Sequence, residues 1–299
     1  MRRSSRAVSV SCACRSRAIE RSAGLVPLHT LDGCNGKQMQ TKRLITMIEG
    51  AVARLTLNRP EVHNAFDDRL IEELTGALER FEQDQRLRLV ILNATGTSFS
   101  AGADLNWMRR TAAYSWEENF ADAQRLGRLM QMLDQLALPT LVQIHGAALG
   151  GGVGLVAACD IAVAADSAFF ALAEVKLGLI PAVISPYVIR AIGARAARRY
   201  FLTGERITAQ QALRLGLVHE VVPDKQLDDR LAELAQTLLG NGPQAVRAAK
   251  RLIRTAGRDA IDASLIDETA RRIAEQRASA EAKEGVAAFL EKRKPDWRY

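Results

Sequence analysis

The feature that most limits what this chain can fold into is residues 147–160. There, four glycines fall within five positions (Gly150, Gly151, Gly152 and Gly154) between apolar segments. Residues 140–144 read as a buried strand leading in, and residues 151–158 as a buried helix leading out. Glycine at such a turn permits positive φ and lets the main chain approach a ligand with no Cβ between them. The first N–H groups of the following helix have no partner within it and lie at the positive end of its dipole. The turn therefore suits an anion, or an oxygen that becomes anionic during a reaction. It is equally compatible with a tight, closely packed strand-to-helix turn, because glycine punctuates loops of every kind.

The surrounding pattern predicts an α/β unit. Residues 45–58 alternate apolar and polar side chains around Glu49-Gly50, a hairpin signal. Asp67 and Asp68 open a predicted helix through about residue 85, with Leu70, Ile71, Leu74, Leu78 and Phe81 on one face. Strands over 87–92, 161–164 and 169–172 and a helix over 116–136 complete an alternation that implies right-handed crossovers. Beyond Pro186 the pattern is mostly helical: 194–202, 209–215, 227–239, 243–255 and 260–290, with one extended interruption at 216–218. The organisation is thus read as a basic leader over 1–42, a core over 43–235 and a helical C-terminal region over 236–299, whose apolar faces need partners.

The net charge of +7 suggests a nucleic-acid partner only until it is located. Residues 1–38 carry +5 of it and the rest only +2, so no large phosphate-binding face is expected and nucleic acid is an improbable partner. The leader is rich in Arg, Ser, Ala and Cys. It reads either as a mitochondrial transit peptide, which would place the protein in the matrix, or as an extension upstream of a start at Met39, which would leave it cytoplasmic. Either way it is expected to lie outside the fold. Three of the four cysteines fall in it, and Cys159 sits in an apolar run as a small core residue. That leaves no disulfide framework and no metal-ligand spacing. No run reaches the ~18 apolar residues of a membrane span.

Two further stretches combine with the glycine turn. Phe99-Ser100-Ala101-Gly102-Ala103-Asp104-Leu105 is a loop of small residues after a buried strand, and its backbone can offer a second N–H donor. Two such donors bracketing a carbonyl oxygen stabilise an enolate, each worth roughly 3–4 kcal/mol in the transition state. In Phe170-Ala171-Leu172-Ala173-Glu174-Val175-Lys176 a single carboxylate interrupts an apolar strand exit. Burial there would raise its pKa and make it a usable acid/base. From the residues alone, Glu174 can also be an ion-pair partner of Lys176 or of an arginine, or a helix cap. Asp160 reads as a structural cap or pair, His145 as a buried hydrogen-bonding residue, and Trp107 as either an acyl-pocket wall or a packing residue.

Together, Asn58-Arg59-Pro60, Asn64-Ala65-Phe66, Ala101-Gly102-Ala103-Asp104, Gly150-Gly151-Gly152, Cys159-Asp160 and Glu174 resemble the enoyl-CoA hydratase (crotonase) superfamily over residues 43–299. The resemblance implies a spiral of ββα units with a C-terminal helical region that assembles trimers stacking into hexamers. It implies an acyl-CoA thioester as substrate and no separate cofactor. By the same resemblance the thioester oxygen meets the N–H groups of Ala103 and Gly151, with Glu174 as the acid/base. CoA would run past Val62, His63, Ala65, Ala101, Asp104 and Leu105, and Phe289 and Lys292 would reach CoA, often that of a neighbouring subunit.

Two departures matter. Hydratases with paired carboxylates have a glutamate at the position of Gly154, so here Glu174 acts alone, or another group assists, or one base suffices. Gly154 is expected to leave room for a branched acyl chain or the attacking water. Where many relatives have Pro-Gly-x-Gly-Gly, this chain has Pro181-Ala182-Val183-Ile184-Ser185-Pro186. With Asp104-Leu105-Asn106-Trp107-Met108, this looks like the methylglutaconyl-CoA hydratases of leucine catabolism and their relatives acting on isohexenylglutaconyl-CoA. Arg109, Arg110 and Lys176 are candidate cations for a distal substrate carboxylate. The expected reaction is hydration of an α,β-unsaturated acyl-CoA. Δ3,Δ2-enoyl-CoA isomerisation is the nearest alternative, and RNA binding or a catalytically silent scaffold are more distant ones.

Overall fold

A computed structural model describes residues 37–257 and 261–297. Its main sheet has seven strands in the order β1 (Lys37–Gln40), β2 (Leu44–Glu49), β3 (Val52–Leu57), β4 (Leu89–Ala94), β5 (Thr140–Ile144), β7 (Ile161–Ala165) and β10 (Glu220–Val222). The pairs β1–β2 and β2–β3 are antiparallel; from β3 onward the pairing is parallel. A second sheet joins β6 (Ala147–Leu149), β8 (Phe169–Ala171) and β9 (Arg206–Thr208). Two single-residue parallel bridges, Ser100 to Ala148 and Phe66 to Ala103, carry strand-like pairing beyond β6. These bridges draw the loops after β3 and β4 against the glycine turn.

The hairpin expected over 45–58 is β2–β3, turning at Gly50 with φ +56°. The predicted helix over 68–85 is α1 (Asp68–Gln83), capped by the Asp67 side chain, which accepts from Leu70 N–H. Its predicted apolar face is buried. Next come α2 (Leu105–Thr111), α3 (Trp116–Gln135) and α4 (Gly151–Ala158). The core lies between the sheet and the apolar faces of α1 and α3 and continues into α4, which packs on α3 and is buried almost all round.

Five sequence expectations need correction. The sheet begins upstream of residue 43, because 37–40 pair with β2; readings of 1–36, including Cys12, Cys14 and Cys34, lie outside the described residues. Residues 105–111 form α2, a helix too short to show a period. Helix α5 (Ser185–Thr203) starts nine residues earlier than expected: Pro186 is tolerated in its first turn, and Gly193, at φ +74° and ψ +155°, kinks it in the middle. The helices beyond Pro186 are interrupted by two strands, β9 and β10, and not by one extended stretch at 216–218. The expected helix over 260–290 is two helices, α9 (Ala263–Ala278) and α10 (Ala280–Leu290), broken where the Ser279 hydroxyl accepts from Ala282 N–H.

Helices α6 (Ala209–Leu215), α7 (Leu227–Leu239) and α8 (Pro243–Ala256) complete the chain. No described helix is long and apolar enough to cross a membrane.

Candidate active site

The site is built where three loops meet beyond the C-terminal ends of the parallel strands. Each loop is fixed by main-chain bonds. Ser100 N–H donates to Ala147 C=O at 3.0 Å, and Leu149 N–H donates to Ser100 C=O at 2.8 Å, lacing the 99–104 loop to the glycine turn. Phe66 N–H donates to Gly102 C=O at 2.7 Å, and Asp104 N–H donates to Phe66 C=O at 2.8 Å, fixing the far side of the same loop. The Phe66 ring also lies 3.4 Å from where a Cβ on Gly151 would sit.

This lacing leaves two amides unused. Among the described residues, neither Ala103 N–H nor Gly151 N–H has a protein acceptor. Ala103 follows Gly102, whose φ of +85° turns the chain against Leu149 C=O, where a Cβ would lie 3.3 Å away. Gly151 opens α4 immediately after Gly150, at φ +49° and ψ −117°, a conformation that a Cβ would strain. Gly152 packs on Ser100, where a Cβ would meet the serine Cβ at 2.9 Å.

Glu174 stands beside this turn. It opens a 3-10 turn, Glu174–Leu177, directly after β8, and its Oε1 lies 3.0 Å from the Cβ position of Gly150. Its Oε2 is buried without a hydrogen-bond partner, and no ion pair or side-chain cap involves it among the described residues. The structural alternatives for Glu174, a partner for Lys176 or a cap, therefore do not hold. Burial pushes its carboxyl above the ordinary value, opposed only by the hydrogen bond from its own backbone N–H. A carboxylate desolvated in this way is a stronger base at neutral pH.

The expected CoA cradle is partly assembled. His63 C=O accepts from Ala101 N–H at 2.9 Å, which brings these two residues together, with Val62 one residue upstream. Leu105 projects into solvent at 70% exposure. Ala65 is buried, with its N–H donated to Val62 and its C=O accepting from Arg59. The Asp104 carboxylate is engaged inside the protein: Oδ1 caps α2 through Asn106 and Trp107 N–H, and Oδ2 accepts from Arg59 at 2.8 Å. Burial pushes Asp104 up, but Arg59 and the two amides outweigh it and hold the carboxyl below its ordinary range. Its main chain is engaged as well: the N–H donates to Phe66 C=O and the C=O accepts from Met108 N–H. Phe289 and Lys292 lie at the end of α10, which packs on α8 and α9; Phe289 is 81% exposed. The residues just past α10 reach the opposite end of β4, where Trp297 C=O accepts from Arg88.

Of the three candidate cations, Arg110 is paired with Asp68 at 2.6 Å, whereas Arg109 reaches only the Asn106 side chain and Lys176 has no carboxylate partner among the described residues. Trp107 is buried in the core with its indole N–H unpartnered. His145 reaches Gly96 C=O through Nε2. The Cys159 thiol is pushed up to about 12 by burial and the Asp160 charge, which keeps it an inert core residue.

One expectation is overturned. Gly154 leaves no empty space. A Cβ there would overlap Ile184 Cγ2, lie 2.9 Å from Ile184 Cβ and lie 3.2 Å from Met130 Cε. Ile184 fills the volume a second side chain would need.

Sequence reasoning also missed the scaffold around Arg59 and Asn64. Asn64 is fully buried at φ +55°; its side chain accepts from Arg59 N–H and donates to Thr95 and Ser98 C=O, while its own C=O accepts from Ser100 Oγ. No local signal marked them: both stand in a polar stretch, residues 58–64, and their partners Asp104, Thr95 and Ser98 lie far along the chain.

The enoyl-CoA hydratase/isomerase family model matches residues 47–299. An enoyl-CoA hydratase from Shewanella pealeana is 48% identical in its crystal structure, with a TM-score of 0.82 over 85% of this chain and 95% of that one. The 2,3-dehydroadipyl-CoA hydratase of Escherichia coli is 35% identical over 85% of this chain and 98% of its own length. The 1,2-epoxyphenylacetyl-CoA isomerase of the same organism is 33% identical over 85% and 97%.

Proposed function

Because this chain belongs to the enoyl-CoA hydratase/isomerase family, we propose that it hydrates an α,β-unsaturated acyl-CoA, with 3-methylglutaconyl-CoA, giving 3-hydroxy-3-methylglutaryl-CoA, as the specific substrate. Isohexenylglutaconyl-CoA is the longer-tailed form of the same reading. The observation that carries it is the pairing of one desolvated carboxylate, whose Oε2 has no hydrogen-bond partner, with two unused main-chain amides across the glycine turn.

The steps follow from that arrangement. Glu174 takes a proton from water as the water oxygen bonds to the β-carbon. The electron pair of the double bond moves through the α-carbon to the thioester oxygen, which becomes an enolate. Ala103 and Gly151 N–H donate to that oxygen where charge develops. Protonated Glu174 then delivers its proton to the α-carbon, and the enolate collapses to the thioester. One residue serves as base and then as acid, so no second carboxylate is needed. Lys176 and Arg109 are the cations available for a distal carboxylate.

The test is Glu174→Gln. It should bind acyl-CoA within a few-fold of wild type while kcat for hydration falls about 10²–10⁴-fold. Near wild-type turnover would remove Glu174 from the mechanism.

Gly154 favours a second reading, Δ3,Δ2-enoyl-CoA isomerisation, in which Glu174 moves one proton from the α-carbon to the γ-carbon and no water is needed. Incubation with 3-methylglutaconyl-CoA and, separately, with a 3-enoyl-CoA decides between them by which thioester is consumed. RNA binding finds no support in the body of the chain, where the net charge is small. We further propose that the C-terminal helices assemble the chain into trimers and hexamers, with Phe289 and Lys292 reaching a neighbour's CoA.

A further inference from the structure

Phe66 touches both loops that carry the unused amides. Its main chain flanks Ala103 on either side: Phe66 N–H donates to Gly102 C=O at 2.7 Å, and Phe66 C=O accepts from Asp104 N–H at 2.8 Å. A trans peptide unit is planar, with its C=O and N–H pointing in opposite directions. Because Gly102 C=O is turned onto Phe66, the Ala103 N–H of the same unit is turned away from it. The glycine turn obeys the same rule. Gly150 C=O accepts from Val153 N–H at 2.9 Å and from Gly154 N–H at 3.2 Å, inside the first turn of α4. The Gly151 N–H therefore points out of the helix end.

The Phe66 side chain makes the second contact. The ring is buried, and its Cδ2 and Cε2 both lie 3.4 Å from where a Cβ on Gly151 would sit. One residue thus holds the Ala103 peptide by its backbone and meets the Gly151 residue with its ring. Among the described residues, the last main-chain bond between the 99–104 loop and the glycine turn is at Leu149. Gly150 N–H turns the other way, to Ala171 C=O at 2.9 Å. Past that point side chains separate the start of α4 from the loop. The Phe66 ring lies against Gly151, and Ser100 lies against Gly152, where a Cβ would meet the serine Cβ at 2.9 Å.

We infer that the Phe66 ring is the spacer between the two donors, so that Phe66 is a positioning residue whose size sets the gap between the Ala103 and Gly151 amides. The inference rests on the proposed placement of the thioester oxygen between those amides. It adds a residue that acts through them rather than on the substrate. A smaller side chain leaves space beside Gly151, and the start of α4 either moves into it or stands over a void. Hydrogen bonds weaken steeply as their geometry worsens. The gap matters most where charge develops on the oxygen, whereas ground-state binding draws on the whole thioester. The loss should therefore fall on kcat rather than on affinity.

The experiment compares Phe66→Leu with Phe81→Leu in the full chain. Phe81 is a buried ring on α1, and its variant controls for lost packing alone. The first readout is infrared difference spectroscopy of bound 3-methylglutaryl-CoA and of bound butyryl-CoA, each labelled with carbon-13 at the thioester carbonyl. Both probes are saturated, so the measurement needs no turnover. Wild type should lower the carbonyl stretching frequency below that of the free probe. Phe66→Leu should lose most of that lowering, and Phe81→Leu should keep it. The second readout is kinetic. Phe66→Leu should lower kcat for hydration about 10–10²-fold, with probe affinity within a few-fold of wild type. Phe81→Leu should keep kcat although its urea midpoint falls. Phe66→Met, with a longer and more flexible side chain, should recover part of both losses, and it keeps the test open if Phe66→Leu does not fold. A carbonyl frequency and a kcat unchanged in Phe66→Leu overturn the inference. So do equal losses in Phe66→Leu and Phe81→Leu, which would reduce Phe66 to packing. No lowering in wild type with either probe removes the placement of the thioester oxygen and the inference with it. A wild type that lowers the frequency but hydrates nothing sinks the hydratase reading alone, because the infrared comparison of the variants still decides the role of Phe66.

Discussion

Glu174 and the glycines around it show how single residues divide the work. A carboxyl raised by burial must be ionised to act as a base, so kcat/KM should fall as pH drops through a value above the ordinary 4.5. The same shift acts on stability with a definite sign. A carboxyl whose pKa is raised on folding favours the folded state at low pH, and that advantage is lost as pH rises through the folded value. Glu174→Gln should therefore be more stable than wild type near neutral pH, with the difference closing as the solution is acidified; denaturant melts at several pH values measure this. Gly150→Ala combines a strained backbone with a Cβ 3.0 Å from Glu174 Oε1. It should cost about 1–3 kcal/mol of stability. By displacing the carboxylate it should also lower kcat about 10²-fold. Gly154→Ala meets Ile184 instead, and should lower stability by about 1–3 kcal/mol through overpacking.

At the scale of elements, the site is held by contacts far from any chemistry. Arg59 joins three segments: its guanidinium donates to Ala65 C=O, to Asp104 and to Asp67, so the cap of α1, the cap of α2 and the 60–66 loop share one cation. Asp160 behaves as a structural pair. Its carboxylate accepts from Thr140 N–H and Oγ1 and from Lys250 Nζ at 2.6 Å, and Lys250 also reaches Leu138 C=O. This is how α8 is tied to the start of β5. Lys250 is nearly buried, whereas Asp160 keeps partial access to water, so removing the ammonium does not strand a fully buried charge. Lys250→Met should cost about 1–3 kcal/mol in a urea melt, with little change in acyl-CoA affinity.

For the whole molecule, the last three helices pose the main question. Ile253, Ile266, Val286, Phe289 and Leu290 are all about half exposed or more, which is a large apolar surface for one chain to leave in water. Sedimentation velocity of the full chain should find species of three and six copies. A monomer at micromolar concentration would remove both the proposed assembly and any role for Phe289 and Lys292 at a neighbour's CoA.

The sequence by itself determined the alternation of strands and helices and the glycine turn, and it singled out the lone carboxylate. These are local properties: a period of two or 3.6, a run of residues without Cβ atoms, a charge among apolar neighbours. Helices α2 and the first half of α5 escaped because seven residues carry too little period and because a proline in the first turn looks like a break. Tertiary structure alone decided that the Phe66 and Ala103 backbones pair, that the Asp104 carboxylate is spent on Arg59 and a helix cap, and that Ile184 occupies the space beside Gly154. Apart from the local cap of α2, the partners are tens of residues apart, and packing fixes volume and hydrogen-bond capacity only once the chain is folded. A glycine in the sequence reads as room; in the packed interior, that room belongs to whichever neighbour fills it.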